Sequence, residues 1–557
     1  MTKRLITVAL ICNFSFSLVK AEDNGEPSDI GAVRRTTSQP SSGQTTDRIE
    51  ELTRMLLDQQ RQIDQLRRAL DAKKAAEEHP AMQENRTLGE VASTAAVGPV
   101  STAASAVPAM TAGSQDSLKP SPLSLSIGSA YITPLGFMDF TGVYRDTSPG
   151  SGIGTNFGSF PYRNGSNVPG QLGEFRLSTQ NSRIGARIDT IVNGAKVLAY
   201  WESDFLGSLP ANAAVSSNSD TFRLRLYWVD VRKSKFELLG GQSWSMITPG
   251  RKGISPIPGD LFYTQDIDVN YQAGLPWGRV PQFRMIFHAK DWMAAGVSFE
   301  AAEQYIGGSG GGGTVVLPSA IATAYANQVD NGNTTLSVPN VHPDIITKFA
   351  IDPKLRNGHG LHFEVAGIER TFKTYNPVSG RHFSAAGGSL QANLHYELAK
   401  GLRLLTNNYW SDGGGRYLFG LAPDLVVRGD GSVSLIHASS TLSGIEFTRL
   451  NTLLYAYYGG VVIGRNSVID PSTHQQVGYG YPGSVNGQNR TVQEGTLGFS
   501  RTLWKDPRYG ALAFMGQLSY FQRNPWFVST GAPKETHMNE AFVNLRYTLP
   551  GSAPMMK

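Results

Sequence analysis

The sequence predicts an all-β transmembrane barrel preceded by an α-helical coiled coil. Three observations predict it. About 430 residues, 119–557, alternate apolar and polar side chains without forming a long apolar run; the chain opens with an export leader; and a separate heptad run sits between leader and alternation. Within 183–189, Ile184, Ala186 and Ile188 interleave with Arg183, Arg187 and Asp189. Within 196–205, Val197, Ala199, Trp201 and Phe205 interleave with Lys196, Tyr200, Glu202 and Asp204. A wall with one oily and one wet face, in an exported chain rich in glycine and aromatics, fits an outer-membrane barrel turned inside out relative to a soluble sandwich.

Lys3 and Arg4 precede an apolar core at 5–18, and Val19-Lys20-Ala21 places small residues where a signal peptidase reads. Residues 1–21 are therefore read as a signal peptide. Cys12 is the single cysteine and lies within it, and Ile11 before it is too large for lipid attachment. The mature chain then has no thiol chemistry, disulfide or thiolate metal site. No apolar run of 18 residues follows the leader, so no helical span is expected. Residues 22–118 carry 10 bases and 15 acids, whereas 119–557 carry 37 bases and 30 acids. The appendage is acidic and the barrel segment basic, a contrast that bears on association rather than fold.

Residues 22–46 show no period and are read as disordered. Over 47–79 the period becomes helical: Ile49, Leu56, Ile63 and Leu70 share one heptad position, Leu52, Gln59 and Leu66 the other, until Pro80 stops the helix. Gln59 at a core position sets register at a cost in stability, and Thr53, Met55, Gln60 and Gln62 flank the seam without a charged zipper. A self-associating coil is expected; the alternative is a single amphipathic helix lying on the barrel. Residues 80–119, rich in Ala, Ser, Thr, Val and Pro, read as a flexible linker.

The barrel segment is 120–557. Asn193-Gly194 and Ala399-Lys400-Gly401 read as tight hairpin turns, while 147–171, 250–278, 305–342 and 466–490 read as long connections. Short turns on one side and long loops on the other are the asymmetry of outer-membrane barrels, and this length accommodates about 14 to 18 strands. Trp201, Phe205, Trp228, Tyr457, Tyr458, Tyr520 and Phe521 are expected at strand ends as an interfacial girdle. Val229 and Val231 flanking Asp230 imply a bulge or strand end after Trp228.

Ser182-Arg183-Ile184-Gly185-Ala186-Arg187, Asn193-Gly194-Ala195-Lys196, Phe222-Arg223-Leu224-Arg225-Leu226-Tyr227-Trp228-Val229 and Leu239-Gly240-Gly241-Gln242-Ser243 resemble the general porins. With His342-Pro343-Asp344-Ile345-Ile346-Thr347-Lys348, Tyr457-Tyr458-Gly459-Gly460-Val461-Val462-Ile463-Gly464-Arg465 and the preceding coil, the chain resembles more closely the DcaP-like family of trimeric outer-membrane porins. The resemblance covers most of 120–550. It implies about 16 antiparallel strands, a homotrimer in the bacterial outer membrane, and passive uptake of small anionic, dicarboxylate-like solutes. The coil would then be periplasmic. One departure is that Ala541-Phe542-Val543-Asn544-Leu545-Arg546-Tyr547, the aromatic-ended closing strand, is followed by ten residues.

The polar face of the early strands is basic. Arg176, Arg183, Arg187, Arg223 and Arg225 all alternate with apolar neighbours and could form a ladder along one lumen wall. Guanidinium groups hold their charge and grip carboxylates in pairs of bonds, so the ladder would favour anions. The alternative is that these arginines pair with Glu174, Asp189, Glu202 or Asp204 and merely brace the wall. Residues 249–281 are the candidate constriction loop, with Arg251 and Lys252 set against Asp260, Asp266 and Asp268; the alternative places this loop outside.

Enzymatic patterns are unpersuasive. Gly308, Gly310 and Gly313 lie in one glycine run without strand-to-helix context, and His359 and His362 fall on opposite faces of a strand. No cofactor, metal or nucleic-acid partner is expected, and the chain is not read as an enzyme. The leading function is a passive porin for small, anionic solutes, its partners being outer-membrane lipids, those solutes and two further copies. The competing function is an envelope anchor, tethered through the coil to the cell wall or a periplasmic protein.

Overall fold

The computed structural model describes residues 121–550 apart from 165–166, 208–220, 262–266, 268–271, 308–312, 326–327, 330–338, 356–358 and 420. The expected signal peptide, disordered segment, coiled coil and linker lie outside the described residues, as do Asp266 and Asp268.

Alternation becomes a closed wall. The strands are β1 (Ala130–Arg145), β2 (Arg183–Val192), β3 (Ala195–Asp204), β4 (Arg223–Lys233), β5 (Phe236–Trp244), β6 (Arg279–Lys290), β7 (Met293–Glu300) and β8 (Asp344–Ile351). They continue as β9 (Leu361–Asn376), β10 (Arg381–Ala399), β11 (Leu402–Asp412), β12 (His437–Arg449), β13 (Thr452–Ile463), β14 (Asn489–Asp506), β15 (Gly510–Pro525) and β16 (Thr536–Thr548). Each pairs antiparallel with its neighbour, and β16 returns to β1 from Phe137↔Thr548 to Arg145↔Glu540. Of the 18 strands in this sheet, two are short pieces: Leu125–Ile127 folds back on β1, and Glu174–Ser178 completes the wall above β2. Among the described residues, sixteen strand positions therefore close the barrel, as the resemblance implied. Closure leaves no lateral edge, the condition for crossing a bilayer with strands.

Turn chemistry sorts the two ends. Asn193 (φ 51°) and Gly194 (φ 74°) join β2 to β3, both with the positive φ that a two-residue hairpin of this hand requires. Ser234 and Leu450 occupy the same region in the β4–β5 and β12–β13 turns. At the other end run the long loops 146–173, 245–278, 301–343 and 464–488, near the expected positions. Loops 205–222, 413–436 and 526–535 escaped the sequence reading. In 413–436, Leu425–Val427 pairs with Val433–Leu435, and this small ribbon carries the strand signal.

Two local expectations need correction. The phase slip in β4 lies before Trp228: Glu202 pairs with Leu226 and Ser203 with Leu224, so Arg225 is the extra residue of a bulge and Leu226 turns inward, fully buried. Trp228, Tyr457 and Phe521 also point into the lumen, whereas Trp201, Tyr458 and Tyr520 face outward. Consecutive aromatics on a strand must take opposite faces, so pairs such as Tyr457-Tyr458 contribute only one member to a girdle.

The long loops fold over the mouth. Phe160, Ile247, Tyr325, Tyr417 and Tyr479, one from each of five loops, join a buried apolar cluster there.

Candidate lumen constriction

Loop 245–278 leaves β5 and crosses the barrel interior. Its backbone amide at Gly250 donates to Glu364 Oε1 on β9 (3.0 Å), and Asn393 Nδ2 on β10 donates to the Gly250 carbonyl (2.9 Å). Arg251 then reaches β12: Nη2 and Nη1 donate to Glu446 Oε1 and Oε2 at 2.7 and 3.0 Å. Tyr457 OH donates to the same carboxylate (2.8 Å). Further along, the Ala273 amide donates to Glu494 Oε2 on β14 (2.8 Å), the Ile267 amide to Gln517 Oε1 on β15 (2.5 Å), and Ser440 Oγ to the Gly274 carbonyl (2.8 Å). At Gly274 (φ 93°) a Cβ would stand 2.5 Å from the Thr441 carbonyl oxygen, so the loop lies flush against the β12–β13 wall only because glycine is there.

This geometry redistributes the expected charges. Arg251 is buried in its pair with Glu446 and is an anchor rather than a charge set against Asp260. Lys252 remains half-buried, with Asp352 and Asp260 as its acidic neighbours. Asp260 accepts from Ser255 Oγ (2.7 Å). Burial, helped by the Asp352 charge, pushes its carboxyl up to about 6, against Lys252 and Arg187, which favour the anion. A carboxyl raised in the folded state lends stability at low pH that fades as pH rises through about 6. It also gains a negative charge over that interval. Anion preference in planar-bilayer recordings is therefore expected to be greater at pH 5 than at pH 7, and Asp260→Asn is expected to flatten the difference; an equal pH response in the variant would place the titrating group elsewhere.

The five arginines face the polar side of the wall, and each has a carboxylate partner among those the sequence offered as braces. Arg225 pairs with Glu202 and Asp204 (2.7 Å each), Arg223 with Asp204 (2.8 Å), Arg187 with Asp189 (2.7 Å), Arg183 with Glu202 (3.7 Å) and Arg176 with Glu174 (3.4 Å). Arg183 and Arg225 are buried, and Arg225 also lies over Trp244. Arg176, Arg187 and Arg223 keep part of their guanidinium surface open. The sequence reading missed the far-wall carboxylates Glu364, Glu446 and Glu494 that hold the loop. Their signal was present, since Glu446 alternates with Ile445 and Phe447, but nothing local says that a loop from β5 will meet it.

No family model matches the chain, and no curated protein does. Among solved structures, the outer membrane channel DcaP of Acinetobacter baumannii aligns over 76% of this chain and 99% of its own, at 14% identity and a TM-score of 0.54. The anion-selective porin from Comamonas acidovorans aligns over 75% of this chain and 100% of its own, at 13% identity and a TM-score of 0.40. The chain is similar in fold to the DcaP channel, as its motifs suggested: a closed, sixteen-stranded antiparallel barrel of the outer-membrane porin type.

Proposed function

We propose that the chain is a passive outer-membrane porin, without enzymatic activity, that prefers small anionic solutes of the dicarboxylate kind and assembles as a homotrimer. One observation carries the preference: along the basic wall the acids stand behind the bases. The Asp204 side chain is fully buried while its partner Arg223 is 37% exposed, and Glu174 is 11% exposed against 45% for Arg176. Ion pairs of this kind are neutral as a whole but present their positive end to the water, a field that collects anions. The in-folded loop narrows the lumen, with half-buried Lys252, beside Asp352 and Asp260, its cation. Loop-borne apolar residues packed over the mouth favour the competing reading, a plugged anchor. Proteoliposome swelling separates the two: a four-carbon dicarboxylate is expected to enter faster than a diamine of equal length. No swelling with either solute would support the anchor, and faster diamine entry would reverse the selectivity.

A further inference from the structure

Past the in-folded loop the inner wall carries two bases set directly against each other. Leu198 on β3 shares a buried apolar cluster with Ile257 and Leu261 of the loop. One level nearer the short turns, Lys196 follows on the same inner face of β3, and Arg232 follows buried Asp230 on β4. The two are cross-strand partners, so their Cβ atoms stand about 5 Å apart. Both are half-buried, and the turns at Asn193-Gly194 and Ser234 put them at the short-turn end, which in outer-membrane barrels is periplasmic.

Like charges directly opposite each other destabilise a sheet. Here the wall leaves the conflict standing. Lys196 has Ile191 as its other cross-strand partner, and the charge that bears on it is that of Arg232. Asp189, one level up on β2, is taken by Arg187 in bonds of 2.8 and 2.7 Å. Arg232 feels Asp230 and Glu237 at its back, but both acids are buried, and Glu237 is bonded to His288 Nε2 (2.8 Å). Among the described residues neither Lys196 nor Arg232 forms an ion pair with a carboxylate.

A carboxylate from outside the chain would resolve the conflict. The planar guanidinium takes both carboxylate oxygens at once, and the ammonium adds a point charge beside it. We propose that Lys196 and Arg232 together bind one carboxylate group of a passing solute at the short-turn end of the lumen, a site apart from the partnered arginines of the ladder. The proposal rests on the porin reading and deepens it.

The probe is succinate, added to the purified full chain in a planar bilayer bathed in potassium chloride. It is expected to interrupt the single-channel current, and Lys196→Gln with Arg232→Gln is expected to raise its half-blocking concentration roughly tenfold. Arg232→Lys keeps the charge and loses the fork, so it should raise that concentration about threefold. Lys196→Gln alone relieves the repulsion, and its thermal midpoint should equal or exceed the native one. A conducting native channel that succinate does not block, or a block unchanged in the double variant, overturns the site while sparing the porin. Native block in Arg232→Lys would reduce the pair to a diffuse field, and a lower midpoint in Lys196→Gln would make that lysine a brace; either overturns the site. A folded native chain that passes no current overturns both readings.

Discussion

Glu446→Ala is expected to widen the pore: single-channel conductance rises and the thermal midpoint falls. In the native chain Arg251, buried on loop 245–278, gives Glu446 two short bonds, and Tyr457 and Arg403 add to the same carboxylate. Removing one partner of a buried pair strands the other charge at a cost of about 3–5 kcal/mol, which the loop relieves by moving Arg251 to water. Arg251→Leu with Glu446→Leu removes both charges and is expected to recover most of the lost stability. Unchanged conductance in Glu446→Ala, measured in a planar bilayer on folded protein, would mean that the loop's other anchors, Glu364 and Glu494, hold it alone.

Arg187→Gln with Arg223→Gln is expected to cut the anion-to-cation permeability ratio while conductance stays close to native. A unit charge about 6 Å from the ion path is worth ~0.7 kcal/mol in water, roughly threefold in local ion concentration, before salt screens it. Two such charges set the ceiling at about tenfold at low salt. Asp204 keeps Arg225 at 2.7 Å, so the wall should hold. Arg225→Gln is the contrasting change. Its guanidinium is buried between Glu202 and Asp204, so its loss should lower the thermal midpoint first and selectivity only as a consequence. A permeability ratio unmoved by the first pair would transfer selectivity to Lys252 and Arg176.

These assignments show what was legible beforehand. A period of two is local, so strands, faces and the Asn193-Gly194 turn could be read directly, and the ion-pair partners of the ladder followed from neighbours on one face, two along the same strand for Arg176 and Arg187 and across to the next for Arg183, Arg223 and Arg225. The split between buried Arg183 and Arg225 and open Arg176, Arg187 and Arg223 was not legible. It depends on the bulge at Arg225, where a single inserted residue changes which side chains share a level of the wall. The anchoring of loop 245–278 was illegible for a different reason: Arg251 and Glu446 lie 195 residues apart and meet only once the barrel closes. Loop 413–436 escaped the reading because its small ribbon, Leu425–Val427 against Val433–Leu435, is built of the same strand-forming residues as the wall.

In the proposed channel, water-filled space runs past a wall whose outermost charges are guanidinium groups. The purified full chain, reconstituted in a planar bilayer under a potassium chloride gradient, is predicted to conduct in discrete steps and to reverse at a potential of the sign that marks chloride as the more permeant ion. Steps that reverse on the potassium side would contradict the selectivity, and a folded barrel that passes no current would contradict the channel.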